Sequence, residues 1–120
     1  MKKILLILVG GTICSSLNEE GNLSVSKEAG ILLKQNFLNS DSLYVDAVDI
    51  KLTENLYVLS ENMTVDKWNT IIDTYRKHVA GKVYDGIIMA HGTDTLAYSA
   101  ALFSMLLSAA GIPVFLVSAN

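Results

Sequence analysis

Residues 4–12 have the sequence ILLILVGGT, and this stretch decides how the rest of the chain is interpreted. The run from Ile4 to Val9 is continuously apolar, as expected for a central parallel strand that is covered on both faces. Lys2 and Lys3 precede the run, as basic residues do in a secretion signal. The run is short, however, and no small-x-small cleavage site follows it. We therefore predict a buried strand that begins at the first residues.

Strands and helices alternate along the remainder of the chain. The pattern predicts further strands over about 44–52, 86–90 and 114–117, and the interleaved charges of the first of these are typical of a sheet edge. It also predicts three helices: one capped by Ser26, with Ala29, Leu32, Leu33 and Phe37 on its apolar face; one from Thr64 to Gly81; and one over 96–110. This order predicts one open, doubly wound α/β domain over residues 1–120, with a parallel sheet and helices on both faces.

The composition limits the classes of partner. Hydrophobic residues make up 51% of the 120 residues, which is ample for one core. The formal net charge is -3, so no basic surface is available for nucleic acid, and no segment approaches a membrane span. A lone cysteine, Cys14, can form neither an internal disulfide nor a zinc-binding pair, and it fits a reducing cytoplasm.

Two loops follow predicted strands and carry the residues most capable of chemistry. Ligands of open parallel sheets gather beyond the carboxyl ends of the strands, so we expect the loops at 10–12 and 91–95 to converge on one crevice. Gly10 and Gly11 would allow close backbone approach, and Thr12 would supply a hydroxyl. Taken alone, this tripeptide is more typical of a tight turn, and it lacks the G-x-G-x-x-G pattern of a dinucleotide site.

The sequence His91-Gly92-Thr93-Asp94-Thr95 is a denser polar cluster that lies just before a predicted helix. Unpaired N–H groups at a helix N-terminus can bind a developing oxyanion, and Asp94 can accept hydrogen bonds from a substrate ammonium. The alternative is that Thr93, Asp94 and Thr95 merely cap the helix, although capping needs only one of them.

Found together in this order, the two motifs resemble the paired signatures of the bacterial-type L-asparaginase and glutaminase family, and more specifically its cytoplasmic type I branch. A third segment, Ser60-Glu61-Asn62-Met63-Thr64, is similar to the family's substrate-carboxylate loop. The resemblance extends from Lys3 to Asn120. It implies hydrolysis of an amino-acid amide such as L-asparagine, without a metal or other cofactor, by a cytoplasmic homo-oligomer.

The resemblance also implies roles for individual residues. Thr12 would attack the amide carbon to form an acyl-enzyme, and Thr93 would stand opposite it. Asp94 would bind the substrate α-ammonium and Ser60 its α-carboxylate, with Gly11, Glu61 and Gly92 also contacting the substrate. Ala119 would present a backbone carbonyl to the leaving amide. Backbone N–H groups near Gly92 and Thr93 are the expected oxyanion donors, and His91 is expected to hold the loop.

The chain departs from the family pattern in three ways. The family has a catalytic lysine and a smaller C-terminal domain beyond these residues, and it completes each site with a neighbouring subunit. We therefore expect residues 1–120 alone to be an inactive N-terminal domain. The activating tyrosine that usually follows the first loop is missing between Cys14 and Phe37, so what activates Thr12 is open. Glu61 adds a negative charge that weakens binding of a substrate carboxylate.

Other interpretations remain open from the sequence alone. Cys14 and His91 are candidates for an alternative thiol–imidazole pair, in which the nucleophile would be the thiol. The domain also fits a non-catalytic module that binds an amino acid, or the related amidotransferase subunit that releases ammonia from an amide.

Overall fold

A computed structural model describes residues 1–17, 23–25 and 28–119, with the backbone alone for residues 12, 15–17 and 23–25. A four-stranded parallel sheet forms its centre, from the strands β1 (Lys2–Leu8), β4 (Val48–Leu52), β5 (Gly86–Ala90) and β6 (Val114–Val117). Their order in the sheet is β4-β1-β5-β6. Three helices connect them: α1 (Ala29–Leu38), α2 (Val65–Val79) and α3 (Leu96–Leu106). The predicted α/β fold is therefore confirmed, and β4 lies at a sheet edge as its charges indicated.

The central position of β1 explains its continuous apolar sequence. Because successive side chains of a strand point to opposite faces, Leu5 and Ile7 enter one half of the core while Leu6 and Leu8 enter the other. All of these side chains are buried. The strand is paired on both edges, with Ile4 opposite Ile50 of β4 and Leu6 opposite Ile88 of β5.

Helices α2 and α3 cover the first face. Ile71 and Phe103 are their buried anchors against the face that carries Leu5 and Ile7. The α2 N-terminus is capped as predicted, because the Thr64 hydroxyl accepts a hydrogen bond from the Lys67 amide at 3.4 Å. Its C-terminus is followed by Gly81 in the left-handed region, at φ +67°.

Helix α1 covers the second face, through a smaller contact than the sequence predicted. Ala29 and Gly30 are buried, and Leu33 packs against the cluster around Leu6 and Leu8. The prediction that Leu32 faces the core is wrong, since half of its surface is exposed. Glu28 occupies the N-cap position, and the proposed cap, Ser26, lies outside the described residues.

Other boundaries also differ from the prediction. Strand β4 begins at Val48, because Val45–Ala47 forms a 3-10 turn instead of extended chain. Helix α3 ends at Leu106, before the turn that contains Gly111. A short antiparallel hairpin of β2 (Ser15–Leu17) and β3 (Leu23–Val25), which no prediction included, follows the first loop. No helix in the described ranges has both the length and the hydropathy needed to cross a membrane.

Candidate active site

Three loops meet beyond the carboxyl ends of β1, β4 and β5. The first follows β1 and contains Gly10 and Gly11, and the second contains the 3-10 turn Ser60–Asn62 between β4 and α2. The third connects β5 to α3. Backbone hydrogen bonds join the first two loops, since the Val58 amide donates to the Val9 carbonyl at 2.9 Å. The first loop is also tied to the end of β5, where the third loop begins, by the Gly10 amide, which donates to the Ala90 carbonyl at 3.3 Å.

The two glycines of the first loop are required by close backbone contacts. Gly10 and Gly11 have φ values of +152° and +81°. A Cβ at residue 10 would lie 2.1 Å from the Val58 carbonyl oxygen, and a Cβ at residue 11 would lie 2.6 Å from the Cα of Gly92. Both distances are too short for any side chain. The first and third loops are therefore in direct backbone contact, as the two motifs predicted.

Ser60 connects the second loop to the third. Its buried hydroxyl donates to the Asp94 carboxylate oxygen Oδ2 at 2.9 Å and accepts from the Asp94 amide at 3.2 Å. Its carbonyl accepts a hydrogen bond from the Thr95 hydroxyl at 2.8 Å. Thr95 is the N-cap residue of α3, yet it makes no side-chain cap bond within the described chain. The alternative that this motif merely caps α3 is therefore not supported for Thr95, whose hydroxyl holds the neighbouring loop.

Asp94 is an exposed carboxylate without an oppositely charged partner in the described part of the chain. Ser60 therefore orients a carboxylate whose charge is not neutralised by a neighbouring side chain, and a substrate ammonium can supply that charge. Glu61 is exposed beside Ser60 and adds a second negative charge at this edge.

His91 is fully engaged in structural hydrogen bonds. The ring is buried, with Nδ1 at 2.6 Å from the Gly92 carbonyl oxygen and Nε2 at 2.7 Å from the Ser99 hydroxyl. Its backbone amide donates to the Val117 carbonyl at 2.9 Å and so ties the loop to the end of β6. Both ring nitrogens are occupied, which agrees with the expectation that His91 holds the loop.

Cys14 does not form the alternative thiol–imidazole pair. Its side chain packs among Leu6, Leu8 and Ala90, and neither nitrogen of His91 contacts it. Burial raises the pKa of the Cys14 thiol to about 11, although a hydrogen bond from the Gly10 backbone opposes the shift. Because the thiolate is the reactive form, a cysteine in this setting is a poor nucleophile at neutral pH.

Only some of the predicted site residues lie together in the structure. It brings Gly11, Ser60, Gly92 and Asp94 together, and Thr93 lies exposed between the last two. The backbone of Thr12 begins a 3-10 turn directly after Gly11, while its side chain lies outside the described part. Ala119 is exposed just after β6, and no hydrogen bond within the described chain links it to the other loops.

Three residues of the neighbourhood were missed by the sequence analysis. Ser99 and Trp68 continue the hydrogen bonding of His91 into α3 and α2. The Ser118 hydroxyl is buried at the end of β6 without a hydrogen-bond partner in the described chain. Serine in an apolar helix and tryptophan on a core face carry no local signal of such a link, because the contact between them spans 31 positions.

The fold and these loops define an open α/β domain with a polar, hydroxyl- and carboxylate-bearing site at the carboxyl edge of a parallel sheet. Comparison with known proteins adds the family. The family model described as "Asparaginase, N-terminal" matches residues 3–120. This chain therefore belongs to the asparaginase family, within its N-terminal domain.

Individual relatives agree with this assignment. L-asparaginase 1 of Escherichia coli K12 is 32% identical over 120 residues, which are 99% of this chain and 34% of the relative. The structure of the thermostable L-asparaginase from Thermococcus kodakarensis superposes with a TM-score of 0.71 at 29% identity, over 97% of this chain and 33% of that chain. A glutamyl-tRNA(Gln) amidotransferase subunit from Methanococcus maripaludis strain C5 is 29% identical over 100% of this chain and 27% of its own length. The chain thus spans about a third or less of these relatives.

Proposed function

We propose that the protein to which this chain belongs hydrolyses the side-chain amide of L-asparagine to L-aspartate and ammonia, with Thr12 as the nucleophile. One observation carries the proposal more than any other. The backbone of Gly11, next to Thr12, touches the backbone of Gly92, next to Thr93. Thr12 and Thr93, which bear the two hydroxyls, therefore each come directly after a glycine that takes part in this contact. The contact lies at the carboxyl edge of the sheet, where α/β domains bind ligands.

The proposed reaction has two acyl-transfer halves. In the first, the Thr12 oxygen forms a bond to the amide carbon while its proton passes to a base. The carbon–nitrogen bond then breaks, the nitrogen takes up a proton, and ammonia leaves an ester on Thr12. In the second, water attacks that ester, aspartate is released, and the proton returns to the Thr12 oxygen. Thr93 stands opposite Thr12, near the attacked carbonyl and the hydrolytic water.

Substrate binding is assigned to the residues around Ser60. Asp94 receives the α-ammonium, since its carboxylate is oriented by the Ser60 hydroxyl at 2.9 Å and lacks a cationic partner in the described chain. Ser60 also contacts the α-carboxylate, for which its hydroxyl turns its one hydrogen from Asp94 Oδ2 to the substrate when the substrate binds. Glu61 is exposed directly after Ser60, so its negative charge repels that carboxylate. This predicts a KM for free asparagine that is higher than it would be without the charge of Glu61. Backbone N–H groups near Gly92 and Thr93 stabilise the oxyanion.

Residues 1–120 alone are proposed to have little or no turnover. The family resemblance places a lysine, a smaller C-terminal domain and a contribution from a second subunit outside these residues. We therefore propose that the active form is a cytoplasmic homo-oligomer of the full-length gene product. Which group activates Thr12 is open, because the tyrosine that the resemblance implies is missing between Cys14 and Phe37.

An ammonia-release assay tests the proposal. The full-length gene product and residues 1–120 are each incubated with asparagine and with glutamine, beside Thr12→Ala, Thr93→Ala and Cys14→Ala variants of the full-length protein. We expect release by the wild type that is lost in both threonine variants and retained in Cys14→Ala. Activity that survives Thr12→Ala but not Cys14→Ala would refute the assignment. Aspartate binding without any ammonia release would instead indicate an amino-acid-binding module.

A second candidate function is favoured by the similarity to the amidotransferase protein of Methanococcus maripaludis. In that case the same site would release ammonia for transfer to a glutamyl group on tRNA. The two candidates differ in dependence on a partner. Ammonia release by the full-length gene product alone, unchanged when charged tRNA and a synthetase-like partner protein are added, would favour the asparaginase.

A further inference from the structure

A chain of hydrogen bonds leads from the surface of α2 to the peptide at the centre of the site. The indole Nε1 of Trp68 lies 2.8 Å from the Ser99 hydroxyl, which lies 2.7 Å from Nε2 of His91. Nδ1 of His91 lies 2.6 Å from the Gly92 carbonyl oxygen. Ser99 and His91 are both almost wholly buried, so water does not replace these partners.

The groups at the two ends of this series of hydrogen bonds determine which partner donates in each bond. An indole N–H can only donate, and a carbonyl oxygen can only accept. The Gly92 carbonyl therefore requires the proton on Nδ1, which leaves Nε2 of a singly protonated ring as an acceptor. Ser99 must then donate its hydrogen to Nε2 while its oxygen accepts from Trp68. A serine hydroxyl has one hydrogen and two lone pairs, so it satisfies both bonds.

The hydrogen bond from His91 fixes the orientation of the peptide between Gly92 and Thr93. In a trans peptide the carbonyl and the N–H point in opposite directions, and the described chain contains no cis peptide. His91 holds the Gly92 carbonyl toward the buried ring, so the Thr93 N–H points to the exposed side of the loop. Within the described residues no hydrogen bond occupies this N–H.

We infer that Ser99 and Trp68 are positioning residues, which hold the Nε2 side of the His91 ring in place, so that its Nδ1–H keeps the Gly92 carbonyl turned inward and aims the Thr93 N–H at the developing oxyanion. The inference rests on the proposed function for its catalytic meaning. If the ring lost its bond at Nε2 and turned, Nδ1 would no longer hold the Gly92 carbonyl, and the peptide would be free to rotate. The preorganised donor would then be lost.

The first test uses residues 1–120 and needs no activity. Nitrogen NMR of labelled histidine distinguishes the two tautomers, and the Thr93 amide resonance reports the peptide. We expect His91 of the wild type to carry its proton on Nδ1. Ser99→Ala removes the donor to Nε2, so the His91 ring should lose its fixed orientation, its Nε2 resonance should shift and the Thr93 resonance should move. Trp68→Phe, which keeps an aromatic ring, should do so to a smaller extent and carries the test if Ser99→Ala does not fold. Ser104→Ala is the matched control, because this exposed hydroxyl on the same helix bonds only the Ala101 carbonyl.

The second test measures steady-state hydrolysis by the full-length gene product. Outright removal of an oxyanion donor lowers kcat by roughly a hundredfold to a thousandfold, so misalignment in Ser99→Ala should lower it by at least about tenfold. Since the donor acts in the transition state, KM should stay within about twofold. The control should change neither value.

Distinct results separate this inference from the proposed function. A wild-type His91 protonated on Nε2, or a Ser99→Ala protein with an unchanged Thr93 resonance and an unchanged kcat, would overturn the inference and leave the hydrolase intact. The expected tautomer in a full-length protein that releases no ammonia would remove the proposed function, and the catalytic role of the two residues with it.

Discussion

Replacing Gly11 by alanine tests the contact between the two glycine-containing loops. An alanine here would be strained by φ +81°, and its Cβ would lie 2.6 Å from the Cα and 2.7 Å from the amide nitrogen of Gly92. A left-handed conformation costs an L-residue about 1–2 kcal/mol. Forcing atoms into a packed contact adds about 1–3 kcal/mol, and here the obstacle is backbone that cannot change rotamer. We expect Gly11→Ala to lower the free energy of unfolding by about 2–5 kcal/mol.

Gly81→Ala is the matched control for this change. Gly81 also has a left-handed φ, of +67°, but a Cβ there meets nothing within 4 Å. It should therefore lose only the conformational part, about 1–2 kcal/mol. Urea unfolding of both variants and the wild type, followed by Trp68 fluorescence, gives the two differences. If the variants agree to within about 0.5 kcal/mol, the loops are not in the contact described and the site does not assemble as argued.

Three further predictions concern single side chains. Ser60→Ala removes the hydroxyl that orients Asp94. The KM for asparagine of the full-length protein should therefore rise about tenfold, the change expected when a hydrogen bond to a charged group is lost. The pKa of the Asp85 carboxyl is lowered by its hydrogen bonds from Lys2 and from the Lys3 amide, so its stabilising effect is present at neutral pH and is lost as the pH falls through that lowered pKa. Asp85→Asn should therefore have a lower urea midpoint than the wild type at neutral pH, and this difference should disappear in acid. Because burial raises the pKa of Cys14 to about 11, alkylation of folded residues 1–120 near neutral pH should be far slower than in urea, as measured by mass spectrometry.

The fold was largely predictable because the apolar patterns of the chain are strong. A continuously apolar run such as β1 fits only an element covered on both faces, and charged residues interleave only where a strand lies at an edge, as in β4. The patterns failed where local hydrogen bonds determine the backbone conformation. Val45–Ala47 alternates like a strand, but the Ala47 amide donates to the Tyr44 carbonyl at 3.0 Å and closes a turn. Apolar residues occur on several faces of α1, so the sequence could not show that Leu32 faces outward.

The site was predictable only where motifs lie within single loops. The polar cluster at 91–95 and the paired glycines identified two loops, and the rules of parallel sheets placed them at one edge. The partners that hold the loops come from distant parts of the chain. Ser60 reaches Asp94 across 34 positions, and Trp68 reaches Ser99 across 31. Such pairs depend on how α2 and α3 pack on the sheet, and no local pattern contains that information.

Identification of the acylated residue tests the nucleophile most directly. The full-length gene product is mixed with asparagine, quenched rapidly in acid and digested, and its peptides are analysed by mass spectrometry. We predict an aspartyl ester on Thr12 that is absent from Thr12→Ala. An acyl group found on Cys14 or on Thr93 instead would contradict the proposal that Thr12, at the junction of the two loops, performs the attack.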